Sequence, residues 1–272
     1  MNTKNKFGII QGRLTESKEL QCFPESNWEN EFFEASNIGF SFIELLTERK
    51  FNKNNPVWNK SGQALIKTLS KENNLEIYSL CTDYIIDNNV LDSKSSHSLK
   101  HIEKFLDSAI ELDCSVLIFP FLEESNITKS NMLDFVPLIR DMADHLNGTE
   151  IIIVIESLLE AKDLRNLLEK INLDNIKCVF DTGNRINLTN NLSSEINILG
   201  DLIHHVHIKD KDKEGNNVIL GTGMVNFNDA FKSFNKIDYK GPYVFETTRG
   251  KDPLITGKFH MDFCNFFISE TK

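Results

Sequence analysis

Between Glu150 and Asn184 the chain reads EIIIVIES, LLEAKDLRNLLEKINL and DNIKCVFDTGN. The runs Ile151–Ile155 and Ile176–Phe180 are rich in Ile and Val and too short to be helices. Between them Leu164, Leu167, Leu168 and Ile171 recur at helical spacing. Short continuous apolar runs suit strands buried on both faces, and a helix joining two of them gives a parallel β-α-β unit. Such a unit cannot stand alone, because both faces of a parallel sheet must be covered by helices. Each of its strands also stops at a carboxylate, Glu156 in one case and Asp181 in the other. Parallel strands present their carboxyl ends at one edge, the edge where α/β proteins bind ligands.

The same alternation runs through the chain. Strands are predicted at FGIIQGRL, which ends in Gln11 and Arg13, at FSFIELL with Glu44 near its end, at EIYSLCTDY reaching Asp83, and at SVLIFPFL. Two more follow the central unit, IHHVHIKD and YVFETTR. Helices are predicted over Trp28–Asn37, Asn59–Asn73, His97–Leu112, Asn131–Leu146, Leu192–Leu202, Phe227–Lys236 and Lys258–Ile268. No long linker or shift in composition interrupts the series. The expectation is an α/β chain whose residues 1–272 form one domain, a single closed (β/α)8 TIM barrel. An open doubly wound sheet is the competing arrangement, since alternation does not require closure.

Composition narrows the functions. The hydrophobic fraction of 40% supports a sizeable core, yet no apolar run approaches the roughly 18 residues that span a bilayer. MNTKNKFGII lacks a secretory apolar region with a small-residue cleavage site, so a cytoplasmic location without a membrane partner is expected. The five cysteines are scattered with no C-x-x-C pair, which suits free, mostly buried thiols. A net charge of −10 argues against a nucleic-acid partner. Neither G-x-G-x-x-G after a strand nor a G-x-x-x-x-G-K-[ST] loop occurs, so a dinucleotide cofactor is not expected, and Gly221 and Gly223 read as a turn. A homo-oligomer is compatible with all of this.

The last four strands end in VIE, VFD, HVH and VFE, which supply Glu156, Asp181, His207 and Glu246. Taken singly, each has a plainer explanation. Asp181 in DTGN caps a helix or a turn, His207 is a hydrogen-bonded core histidine, and Glu246 pairs with Arg249. Four such residues on consecutive strands, at one edge, point together to a divalent cation. A mixed oxygen and nitrogen donor set suits Mn²⁺, Mg²⁺ or Co²⁺, with Zn²⁺ possible.

FDTGN, HVHIKDKDKEGNNVILGTG and VFETTRG resemble conserved blocks of the xylose isomerase-like TIM barrels, most of all the sugar phosphate isomerase/epimerase branch. IIQGRL and GFSFIEL fit the same branch, so the resemblance spans nearly the whole chain. It implies one divalent-metal ion held by Glu156, Asp181, His207 and Glu246, with Glu156 and Glu246 as the two catalytic glutamates. Where that family often carries a substrate-contacting histidine, this chain has Asn184.

Such a set suits removal of a proton from carbon beside a carbonyl. The cation stabilises the enediolate, one glutamate abstracts, and the other returns the proton. Return to the opposite face is epimerisation; return to the adjacent carbon is aldose–ketose isomerisation. The partner expected is a small-molecule sugar or sugar phosphate. Arg13, Glu44, Asn184, Lys209 and Arg249 are candidates to hold it, with Arg249 and Lys251 near the usual barrel phosphate site, although solvated charges or a Lys209–Asp210 pair explain some equally well. Two rivals stand beside this reading. A nuclease of the endonuclease IV type needs further histidines, and strands three and four end in CTDY and FPFL without any. A non-catalytic sugar-binding barrel has no need of two carboxylates at the reacting carbons.

Overall fold

Eight apolar runs become eight short parallel strands in the computed structural model, which describes residues 6–92, 96–189 and 191–271. They are β1 Phe7–Ile10, β2 Phe42–Thr47, β3 Ser79–Thr82, β4 Val116–Pro120, β5 Ile152–Glu156, β6 Ile176–Asp181, β7 Ile203–Ile208 and β8 Tyr243–Phe245. Each pairs with its neighbours in sequence, and β1 pairs with β8, so the sheet closes. The closed barrel is thus the arrangement adopted, rather than an open sheet. The first five residues, part of the N-terminal stretch read above, lie outside the described residues.

Alternation along the strands sorts side chains into two environments. Phe7, Ile9, Ile43, Leu45, Leu117, Phe119, Ile153, Ile155 and Phe180 point outward and join the large core beneath the helices. Leu46, Cys81, Val116, Ile118, Val154 and Val179 pack against one another inside the ring. Ile10, Phe42 and Val244 form a separate inner group with Tyr78. Phe42 seals the amino-terminal end of the barrel. A Cβ on Gly8 would lie 2.3 Å from its ring, so a side chain at Gly8 is excluded. Phe42→Ala should empty that end and cost about 3–5 kcal/mol, read as a lower denaturant midpoint with an unchanged slope.

Eight longer helices cover the ring: α1 Trp28–Ile38, α2 Lys60–Glu72, α3 Ser96–Leu112, α4 Phe135–His145, α5 Ala161–Ile171, α6 Leu192–Leu199, α7 Phe227–Lys236 and α8 Pro253–Glu270. In α5 the residues at helical spacing, Leu164, Leu167, Leu168 and Ile171, are the buried ones. That helix stops at Asn172, whose left-handed backbone turns its N–H onto Leu168. Three helix boundaries differ from the sequence reading by three residues or more. α8 begins five residues early because the Asp252 carboxylate accepts from the N–H groups of Leu254 and Ile255, and Pro253 fits the first turn. α4 begins four residues late because the Asn131 side chain instead holds a turn through Thr128 N (2.7 Å) and Asn126 O (3.1 Å). α6 ends before Gly200, where the chain tightens into a 3-10 turn.

All five cysteines are free, and four of them are buried. Among the described residues, no helix is long and apolar enough to cross a membrane.

Candidate metal and active site

Strand register decides which side chains meet above the ring. Asp181 on β6 lies opposite His207 on β7, and His207 lies opposite Val244 on β8. A register shift at Cys178 and Val179 leaves His204 unopposed and turns His205 and His207 to the inner face. Glu156 closes β5, while Glu246 follows β8 and continues its ladder through an N–H donated to Ile208 O (3.1 Å).

These four residues converge. His207 Nδ1 lies 3.2 Å from Glu246 Oε2, 3.9 Å from Glu156 Oε2 and 4.0 Å from Asp181 Oδ2. All are buried except Glu246, whose side chain is 16% exposed. His207 Nδ1 and Asp181 Oδ2 nevertheless lack any hydrogen-bond partner, because their charged neighbours are close but out of line. Buried polar atoms are seldom left so. Ligand atoms each about 2.0–2.2 Å from a shared divalent ion lie roughly 3–4 Å from one another; His207 Nδ1 stands within that range of one oxygen of each carboxylate, and ligand atoms of Glu156, Asp181 and His207 all lie within 4.8 Å of one another. The donor set and the orphaned atoms therefore fit a divalent cation.

The surrounding groups fix the carboxylates. Asn184 donates its backbone N–H to Asp181 Oδ1 and its side-chain amide to Glu156 Oε1, both at 2.7 Å. Asp181 thus caps the turn that follows β6 while its other oxygen faces the cluster. Lys209 Nζ sits 2.9 Å from Asp181 Oδ2 and 2.8 Å from Glu246 Oε2. Burial, and then the charge of Asp181, push the Glu156 carboxyl up to about 7. Burial also raises Asp181, with Lys209 opposing it. Burial acts on Glu246 in the same direction, yet Lys209, His207 and Arg13 hold it well below the usual carboxylate range. Three carboxyl groups thus crowd about Lys209 and His207, an arrangement that a divalent cation would stabilise.

The stem of Lys209 crosses the backbone at Gly183, where a Cβ would lie 2.2 Å from Lys209 Cγ. Gly183→Ala should therefore displace the ammonium and cost about 1–3 kcal/mol by overpacking. Thermal unfolding of Gly183→Ala beside wild type is the measure, and an unchanged melting temperature would mean that the Lys209 stem moves aside freely.

A cavity of about 180 Å³ opens above the cluster, lined among others by Glu156, Asn184, Lys209, Glu246, Asp83 and Arg49. Arg49 bridges Asp87 (2.6 Å) and Glu123 (2.5 Å) at its rim. Gln21 lines the cavity too; the sequence reading placed Asp83 only as the end of its strand and passed over Gln21 and Arg49. Asp83 shares the inward alternation of Ser79 and Cys81, a usable signal; the two loop residues carry none.

The remaining candidates fall in different places. Arg13 is buried, donates to Gln21 Oε1 (2.7 Å) and lies 3.9 Å from Glu246. Glu44 sits beneath the cluster, fully buried, against His205 and His207. Arg249 donates to the carbonyls of Gly12 (2.8 Å) and Glu19 (2.7 Å), fastening the loop after β1 rather than pairing with Glu246. Asp210 does not pair with Lys209. Its carboxylate accepts from the N–H groups of Gly221, Gly223 and Val225, which shapes the turn after β7.

A sequence model of the family described as xylose isomerase-like TIM barrel matches residues 32–261. No curated protein sequence matches the chain. Several solved structures share the fold. D-allulose 3-epimerase from Methylomonas sp. superposes with a TM-score of 0.74 at 19% identity, covering 97% of this chain and 98% of that one. D-psicose 3-epimerase from Clostridium cellulolyticum H10, solved with D-tagatose, gives 0.76 at 13% identity, covering 97% and 99%. An L-ribulose 3-epimerase gives 0.79 at 14% identity, covering 98% and 96%.

Proposed function

Because this chain belongs to the xylose isomerase-like TIM barrel family, we propose that it is a divalent-metal-dependent sugar isomerase or epimerase, acting on a ketose or its phosphate. One observation carries the reading. A buried histidine nitrogen without a hydrogen-bond partner faces three carboxylates from neighbouring strand ends. The fold neighbours named above, ketose 3-epimerases by description, point to the same class.

Glu156, Asp181, His207 and Glu246 would hold the cation, which supplies stabilisation for negative charge growing on the sugar's oxygens as a carbon-bound proton leaves. Glu156 and Glu246 both line the small cavity. One accepts the proton and the other returns it. Asn184 keeps Glu156 from rotating away, and Lys209 does the same for Glu246. Asn184 and Lys209 also line the cavity, where their remaining N–H groups would bind sugar hydroxyls. Burial of the cluster excludes the water that would compete for the proton.

The test is solvent exchange. D-fructose or D-tagatose incubated with the Mn²⁺-loaded protein in D₂O should gain deuterium on carbon beside the carbonyl. A panel of ketoses and ketose phosphates showing no incorporation would remove the proposal.

A further inference from the structure

We propose that Glu44 is a positioning residue, one layer below the carboxylates, that holds His207 with its proton on Nε2 and so directs Nδ1 at the cation. The inference rests on the cation reading of the preceding subsection and assigns a task to a residue outside the ligand set.

Glu44 Oε1 lies 2.9 Å from His207 Nε2. The other oxygen, Oε2, accepts from Ser79 Oγ at 2.8 Å and lies 2.8 Å from His205 Nε2. An ionised carboxylate offers only acceptors, so the ring nitrogen facing it must carry hydrogen. Glu44 Oε2 already accepts a hydrogen bond from Ser79 Oγ, which leaves Oε1 to accept from His207. The opposite nitrogen, Nδ1, is then the one whose lone pair is available, and it is the atom that faces Glu156, Asp181 and Glu246.

Glu44, His205 and His207 themselves have the residue types of a metal site. Their spacing marks them as a clamp instead. The 2.9 Å contact of Glu44 Oε1 with His207 Nε2 is a hydrogen bond, and His205 Nε2, 2.8 Å from Glu44 Oε2 but out of hydrogen-bonding line, packs beside it, whereas two ligands of one ion stand about 3 Å or more apart. Ser79 also already occupies one Glu44 oxygen, and the Glu44, His205 and His207 side chains are at most 2% exposed.

Glu44→Gln keeps the shape but puts an amide N–H toward one of the two histidines. Bound Mn²⁺, followed by the loss of the free-ion EPR signal, should weaken about 10–100-fold in this variant, the usual cost of losing an outer partner. A merely structural role would lower the melting temperature of the metal-free protein and leave the affinity of the folded fraction unchanged. Glu44→Asp, which retains the charge, should recover part of the affinity. A readout independent of any variant is ¹⁵N NMR of the Zn²⁺-loaded wild type, where His207 should be protonated at Nε2 and ligated through Nδ1. The reverse assignment, or a folded Glu44→Gln variant binding Mn²⁺ within twofold of wild type, overturns the inference alone. Wild-type protein that binds no divalent cation overturns both this inference and the proposed function.

Discussion

Glu246→Gln is expected to reduce solvent proton exchange into a ketose by at least about a thousandfold, within the range that loss of a positioned acid or base produces. The amide matches the carboxylate in size but cannot take up a proton, and it brings no charge to the cation. It also leaves Lys209, now 2.8 Å from Glu246, with Asp181 as its nearest anion. Because the Glu246 side chain is partly exposed, the fold should tolerate the change. The comparison is deuterium incorporation by variant and wild type at saturating Mn²⁺, with circular dichroism as the check on folding. Exchange within tenfold of wild type would take Glu246 out of the chemistry and leave Glu156 without its counterpart.

Removing divalent cations should abolish the same exchange and also loosen the fold. Three buried or half-buried carboxylates then repel one another with Lys209 and His207 between them. A ligand present at about a hundred times its Kd stabilises the state it binds by about 2.7 kcal/mol. For a chain near this size each kcal/mol moves the melting temperature by about 2–4 °C, so EDTA should lower Tm by roughly 5–10 °C. Replacing the cation should restore both properties together. Melting curves unmoved by Mn²⁺, Mg²⁺, Co²⁺ and Zn²⁺ in turn, with exchange surviving EDTA, would mean that the orphaned His207 nitrogen serves some other purpose.

Much of the barrel was legible because parallel strands need buried residues on both faces, and uninterrupted Ile and Val runs such as Ile151–Ile155 have few other uses. The convergence of Glu156, Asp181, His207 and Glu246 followed from the shared direction of those strands. Other features depended on information that local sequence holds poorly. The apolar run around Glu44 continues to Leu46, which made the glutamate look like a strand-end group. Counting by twos places it on the inner face but one layer short of the mouth, where Leu46 and Thr47 still follow it in β2. Arg249 stands beyond β8 as its position suggests, yet its guanidinium is claimed by a carbonyl in the loop after β1. A contact between such distant parts of the chain exists only once the ring has formed. The start of α8 was a different kind of miss, since the Asp252–Pro253 cap was there to be read.

The pairing of β1 with β8 has a bearing on how the protein is made. During synthesis β8 is the last strand of the barrel to be made, and it is followed at once by Glu246. Until it docks, β1 and β7 each offer a row of unsatisfied backbone groups to any passing chain, the situation in which sheets aggregate. A nascent or truncated product therefore lacks both Glu246 in its place above the ring and a protected edge, so premature termination should yield material recognised by chaperones rather than a merely destabilised barrel.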